Sequence, residues 1–522
     1  MICFANVLAK LIRFGLFAMT ALIIVVPAAM AQQAPHNDRL LTADGRPLPE
    51  NARGSQQDDV DLFDEPVHAA PAPPLEPQDP LNQTYGDTSS SAIDRRDLDR
   101  LTSISRDPLR EVPRDFRDDR FNRGLVQKNQ ARLQRQSDTG DWRKRDDTAF
   151  DPLGIRTGGF VFYPELYTRM ITTNNLFATK SNKKSDYAAE FTPRFRLRSD
   201  WNNHELELFG TLTRTNWRNF TTENTTEYEL RARGRLDITS RTSFEGGMRY
   251  EQKMEGRGSN ELPDSASRPA VTTEAELYAQ LDHRFNRLGL RLRGQVIRNA
   301  FDDVALNSGA IQDNHIRDYD EHLLALRTNY EFSPRFSLFA DTGIGERVFK
   351  KRRDGGGFLQ GSKSWLGAVG TSVEFTSNLN FLGRVGYAKA NPDEASLVDL
   401  KGIIYDASLI WTPTRLTTVT LKGGTELEET TQTGSPGSIN RTVSLELVNS
   451  WTHRLTSTLS SEYEVRDYAG IVQTDTELTL GVDAAYLFSR SWVLDAGYEF
   501  TLIDGSNAYS ANEFHLGLKW RR

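Results

Sequence analysis

The sequence predicts an all-β fold: a transmembrane, antiparallel, up-and-down β-barrel of about eighteen strands, preceded by a disordered N-terminal tail. Three observations predict it. Side chains from Thr476 to Arg522 alternate between apolar and polar at every second residue. The same unit, roughly nine to eleven residues long as barrel strands are, recurs back to about Gly158. The links between units alternate between short and long, and aromatic residues gather at the short ones.

The final segment shows the pattern most clearly. Leu478, Leu480, Val482, Ala484, Tyr486 and Phe488 alternate with Glu477, Thr479, Gly481 and Asp483. After Ser489-Arg490-Ser491 the series resumes with Trp492, Leu494, Ala496, Tyr498, Phe500 and Leu502 against Asp495, Gly497, Glu499 and Thr501. The last strand sets Phe514, Leu516, Leu518 and Trp520 against Glu513, His515, Gly517 and Lys519. Period two puts each set on one face of a sheet. A soluble sandwich also alternates, but it buries its large residues and leaves charge outside; here the apolar face is expected to meet lipid and the polar face to line a lumen. Phe514, Leu516, Leu518 and Trp520 form the expected assembly signal of the terminal strand. Unlike barrels that finish on an aromatic residue, this chain continues to Arg521-Arg522.

Earlier units follow the same rule. Tyr187, Ala189, Phe191, Phe195 and Leu197 oppose Glu190, Arg194, Arg196 and Arg198, and Pro193 within that strand predicts a bulge or a lost ladder bond. Tyr228, Leu230, Ala232, Leu236 and Ile238 oppose Glu227, Glu229, Arg231, Arg233, Arg235 and Asp237. Leu288, Leu290, Leu292 and Val296 oppose Arg291, Arg293 and Gln295.

Composition sets the bounds. The chain has 522 residues, 38% of them hydrophobic, and a mean hydropathy of −0.55. Beyond the N-terminus no apolar run approaches the ~20 residues of a membrane helix, but half of each barrel strand is polar, so low hydropathy does not argue against a barrel. A net charge of −7 argues against a nucleic-acid partner. The one cysteine, Cys3, lies in a segment expected to be removed, which leaves no structural disulfide and no cysteine-ligated metal.

Three regions follow. Residues 1–31 read as a signal peptide: Lys10 and Arg13, an apolar core from Phe14 to Val26, then Ala29-Met30-Ala31. Residues 32–150 are rich in proline, arginine and aspartate, too poor in apolar surface to offset the entropy of ordering, and read as a disordered periplasmic tail. Residues 151–522 read as the barrel. Its short turns, such as DHRFNRL and SWTHRLTS, alternate with longer links: Met254–Thr272, Asn299–Asp318, Lys350–Lys363 and Glu428–Asn440. Barrels carry short periplasmic turns and longer external loops, which sets the orientation. Trp201, Phe244, Phe285, Phe332, Phe336, Phe375, Trp411, Trp451, Phe488 and Trp492 flank the short turns, as expected of a belt at the lipid headgroups.

FDPLGIRTGGFVFYPEL, followed by TTNNLFAT and FTPRFRLRSDWNNHEL, resembles the first strands of a family named for a "putative β-barrel porin 2", and GRLDITSRTSFEGGMRYE is similar to its next hairpin. The resemblance covers roughly residues 150–522 and implies an outer-membrane barrel of poorly defined substrate. It supplies no catalytic residues.

No catalytic pattern is present either. HExxH, P-loop and G-x-S-x-G motifs are missing, the histidines do not cluster, and His515 alone points to the lumen by parity, so no enzyme activity, metal or cofactor is expected. The expected lumen wall carries more information. Arg194, Arg196, Arg198, Arg231, Arg233, Arg235, Arg291 and Arg293 make its early part basic, and Glu462, Glu477, Asp483, Asp495 and Glu499 make its late part acidic. Glu205, Glu207, Glu227, Glu229, Glu274 and Glu276 are placed to pair with the arginines across strands. These residues are the selectivity candidates of a passive channel for small polar or charged solutes in the outer membrane of a Gram-negative bacterium. The alternative is a non-enzymatic component of surface-polysaccharide export or envelope attachment, with the tail as docking arm to a periplasmic partner. Outer-membrane lipid, lipopolysaccharide and the outer-membrane insertion machinery are the expected partners. Deleting residues 32–145 is predicted to leave a folded, heat-resistant barrel on gels; a truncated protein that fails to reach the membrane intact contradicts the spacer reading of the tail.

Overall fold

The computed structural model describes residues 152–259, 265–353, 357–430, 432 and 434–522. The signal peptide and tail assigned from sequence lie outside these residues. Eighteen long strands build the wall. The first six are β1 Phe160–Thr173, β2 Asp186–Ser199, β3 Glu205–Trp217, β4 Thr225–Thr239, β5 Thr242–Glu255 and β6 Ala270–Phe285. They continue as β7 Leu288–Phe301, β8 Tyr319–Ser333, β9 Phe336–Phe349, β10 Ser362–Thr376, β11 Leu379–Pro392 and β12 Leu400–Thr414. The last six are β13 Thr417–Glu428, β14 Ser438–Ser450, β15 Leu455–Tyr468, β16 Thr474–Leu487, β17 Trp492–Asp504 and β18 Tyr509–Arg521. Each pairs antiparallel with its neighbours in sequence, and β18 pairs with β1 from Glu165↔Arg521 to Thr173↔Glu513, which closes the ring. The expected closed barrel of eighteen strands is therefore the observed fold.

Closure follows from backbone chemistry. Hydrocarbon offers no hydrogen-bond partner, so a spanning sheet must pair every edge with itself. The links then fall into two sets. Nine lie at one end of the barrel and eight at the other, where the connections are as short as residues 240–241 and 286–287.

Parity is as the alternation predicts. Leu230, Leu277, Ile344, Ile403 and Leu516 face outward and are exposed, as is a large apolar side chain on nearly every strand, far beyond what a soluble monomer presents. All ten aromatic residues expected at the short turns are exposed there. Outward charges such as Arg298, Asp320, Lys363, Lys401 and Arg441 instead sit at the opposite, long-link ends, so the apolar band lies between.

Two local outcomes refine the sequence reading. Pro193 makes no bulge: β1–β2 pairing continues through Leu166↔Pro193, while β2–β3 pairing breaks between Phe191↔Arg214 and Arg194↔Thr211 and resumes in the same register. The missing N–H removes ladder bonds on one side only. Arg521 is no overhang: it is buried, belongs to β18 opposite Glu165, and its backbone N–H donates to Ser491 O at 2.9 Å. Trp520 stands outward between Leu166 of β1 and Trp492 of β17, at the closing ladder. Trp520→Ala is expected to lower the yield of folded, heat-modifiable barrel, and deleting Arg521-Arg522 to lower it too, since the first closing pair is then lost. Full yield from both variants on refolding gels contradicts a closing role for this end.

Candidate functional site

The inner face of the wall is the site, and register places every residue on it. Arg194, Arg196 and Arg198 project inward from β2; Arg231, Arg233 and Arg235 from β4; Arg291 and Arg293 from β7. Glu462 lies on β15, Glu477 and Asp483 on β16, and Asp495 and Glu499 on β17, all on the same inner face. The ring order sets their mutual positions. The arginines of β7 lie across the ring from β15–β17, whereas those of β2 are only three strands from Asp495. The two signs therefore flank each other on one side of the ring and oppose each other only through β7.

The arginines of β4 and β7 are also neutralised where they stand. Arg231 pairs with Glu229 at 2.9 Å, and Arg235 with Asp237 at 2.9 Å. Arg233 reaches Glu205 on β3 at 2.6 Å and Glu245 on β5 at 3.5 Å. Arg249 joins Glu229 at 2.6 Å, Glu274 at 2.8 Å and Glu251. Arg291 meets Asp282 at 2.7 Å, and Arg293 meets Glu276 at 3.4 Å. Further round, Asp341 accepts both N–H arms of Arg327 at 2.5 and 2.6 Å, and Arg384 bridges Asp341 at 3.3 Å and Asp406 at 2.6 Å. Buried Arg169 and Glu190 pair at 2.8 Å between β1 and β2. These partners sit on the same or nearby strands, so the pairs run along the wall. Arg194 and Arg198 make no ion pair among the described residues.

On the acidic arc carboxylates meet in register. Glu464 and Glu477 stand directly opposite in register, bridged by Arg466 at 2.5 and 3.4 Å. Glu499 and Glu513 also face each other directly, an arrangement of like charges that is unfavourable unless screened. His515 is not alone: its Nε2 lies 3.4 Å from Asp495 and 3.8 Å from Asp483, and Tyr167 Oη donates to Asp495 at 2.5 Å. Among the described residues no group of histidine and carboxylate side chains is arranged to hold a metal ion.

The rings of Phe209, Tyr278 and Phe339 stand on the inner face by register. A Cβ on Gly247 would lie 2.5 Å from the Tyr278 ring, and one on Gly370 would lie 2.3 Å from Phe339. These two rings are thus laid against a glycine of the adjacent strand. A guanidinium lies over each of the three rings: Arg293 over Tyr278 at 3.9 Å, Arg327 over Phe339 at 4.5 Å, and Arg231 over Phe209 at 4.5 Å. Such stacking on a ring is worth about 0.5–2 kcal/mol and holds the long arginine side chains down. The signal was present as inward Gly residues beside inward aromatic ones, but only register joins them.

Among curated proteins the chain has no match. Solved structures with a similar fold include OccK3 (OpdO) of Pseudomonas aeruginosa, 14% identical over 69% of this chain and 95% of that one, with a TM-score of 0.37. Another is the outer membrane protein opdK of Pseudomonas aeruginosa, 12% identical over 69% and 98%, with a TM-score of 0.36. The FrpB iron transporter of Neisseria meningitidis (F5-1 variant) is 8% identical over 65% of this chain and 63% of its own, with a TM-score of 0.41. The chain spans less than two thirds of that transporter, and 55% of the chain matched in the FpvAI–pyocin S2 complex. The family comparison goes further: residues 147–522 match the profile described as "Putative beta-barrel porin 2", and the chain belongs to that family of porin-like outer-membrane β-barrels.

Proposed function

We propose that the barrel is a passive channel for small polar or charged solutes, set in the outer membrane of a Gram-negative bacterium with its short turns in the periplasm. The observation that supports this most is the direction of the ion pairs. Charges paired along the wall need no partner across the bore, and rings laid against glycines do not project into it. A polar, wall-neutralised interior favours water and small hydrophilic solutes over apolar ones. Net selectivity then depends on the imbalance that remains, and surface charges of this kind act within a Debye length of about 10 Å at 0.1 M salt. We also assign residues 1–31 as its signal peptide, and no catalytic role to the lumen residues.

Replacing Arg231, Arg233 and Arg235 together by serine removes one cationic partner from each of Glu229, Glu205, Glu245 and Asp237. Cation preference in planar-bilayer recordings should rise, most strongly at low salt, by a severalfold change in permeability ratio that fades towards 1 M, where the screening length is about 3 Å. The outward change Leu230→Ser should reduce folded yield and leave selectivity alone. A natively folded wild type that conducts no ions overturns the channel reading.

A further inference from the structure

β1 has a second partner below β18. Ile155–Thr157 forms a three-residue strand that turns at Gly158-Gly159 and pairs with the start of β1, from Thr157↔Phe160 to Ile155↔Phe162. β18 ends on the same edge of β1 just above it: Arg521 stands opposite Glu165, and the Arg522 N–H donates to Pro164 O at 3.2 Å. The chain ahead of Ile155 cannot run on along that edge, because β18 already occupies it. It leaves the sheet on the lumen side. Gly154 has φ +68°, and a Cβ built on it would lie 2.5 Å from Val161 Cγ1 and 2.8 Å from the Tyr163 ring. Both are inward side chains, opposite Arg198 and Arg196 of β2. The hairpin is fixed to the rim: the Asp200 N–H donates to Gly159 O at 2.8 Å, and Arg156 pairs with Asp200. At Gly154 the chain thus stands inside the short-turn mouth of the barrel.

That exit stands beside an acidic part of the wall. The inner faces of β15 to β18, the four strands that lead round the ring to β1, carry two, three, two and one carboxylates, against Arg466, Lys519, Arg521 and His515. Asp495 and Asp483, near the short-turn ends of β17 and β16, are two and three strands from the exit, or about 10 and 15 Å at the usual strand spacing. Charge along the preceding chain is graded. Residues 32–93 hold eleven carboxylates and three cations, residues 94–120 eight of each, and residues 123–145 seven cations with two carboxylates. Only the stretch nearest the barrel has the sign that an acidic wall attracts. Its reach is sufficient: the nine residues from Arg143 to Asp151 extend up to about 30 Å.

We infer that residues 123–151 dock in the short-turn mouth of this chain's own lumen, with Arg143, Lys144 and Arg145 laid along the carboxylates of β16 and β17. The docked stretch supplies positive charge to the late wall and narrows the bore. This goes beyond the proposed channel and does not rest on it, since a barrel that conducts nothing can hold its own tail in the same place.

The test uses membranes from cells that express the full chain with p-benzoylphenylalanine, a photo-crosslinking residue, in place of Trp142. After irradiation, peptide mass spectrometry of the monomer band should find crosslinks from position 142 to inner-face residues of β16–β18. The same probe in place of Phe116, in the stretch of balanced charge, should leave the wall unmarked. Replacing Arg143, Lys144 and Arg145 together by glutamate should lower the crosslink from position 142 about tenfold, which corresponds to about 1.4 kcal/mol. Adding Asp483→Lys and Glu499→Lys to that variant should restore it, in barrels shown to be closed by heat-modifiability on gels. Gly154→Val makes the test without any change of charge: a side chain there meets Val161 at a positive φ, so the exit is displaced and the crosslink should fall. An unmarked inner face, or crosslinks only in a band of doubled mass, overturns the docking, as do inner-face crosslinks indifferent to both the charge reversal and Gly154→Val. The readout is a crosslink and needs no current, so failure of the axial channel would leave the docking standing, and failure of the docking would leave the channel.

Discussion

A strand in hydrocarbon must have both of its edges hydrogen-bonded, and the rest of this structure depends on that constraint. It explains why β18 returns to β1, why Arg521 is drawn into the last strand, and why the ring has no loose end. It also explains how Pro193 is tolerated. Proline costs only the bonds its missing N–H would have made towards β3, and the pairing with β1 holds the register through the gap. A bulge would have turned every later side chain of β2 to the wrong face, sending Arg194, Arg196 and Arg198 into lipid. Charge at the midplane of the lipid face costs about 2–4 kcal/mol per residue, so a local loss of ladder bonds is the milder outcome.

With the backbone fixed, the interior must solve a different problem: many charged side chains confined on one concave face. The wall solves it by short-range pairing. Arg249 among Glu229, Glu251 and Glu274, and Asp341 between Arg327 and Arg384, are knots in a network that follows the strands. Burial makes these knots matter to stability as well as to the lumen. Removing one partner of a buried pair typically costs about 3–5 kcal/mol, because the other charge is left without compensation. The pairs on exposed parts of the wall, such as Arg231 with Glu229, contribute far less and shape the lumen field instead.

Much of this was legible in the sequence, and the reason is locality. Which face a side chain takes depends only on its parity within one strand, so Leu516 outward and Arg233 inward could be read directly. The ten aromatic residues of the turn-side belt were legible for the same reason, since each lies beside its own turn. Partners are another matter. Tyr167 and Asp495 are 328 residues apart, and their contact exists only because the ring closes. The glycines beneath Tyr278 and Phe339, and the approach of His515 to two carboxylates, need the same knowledge of which strands lie side by side and in what register. A basic early wall and an acidic late one are legible from order along the chain; a ring brings the first arginines of β2 close to the last acids, and order along the chain does not show that.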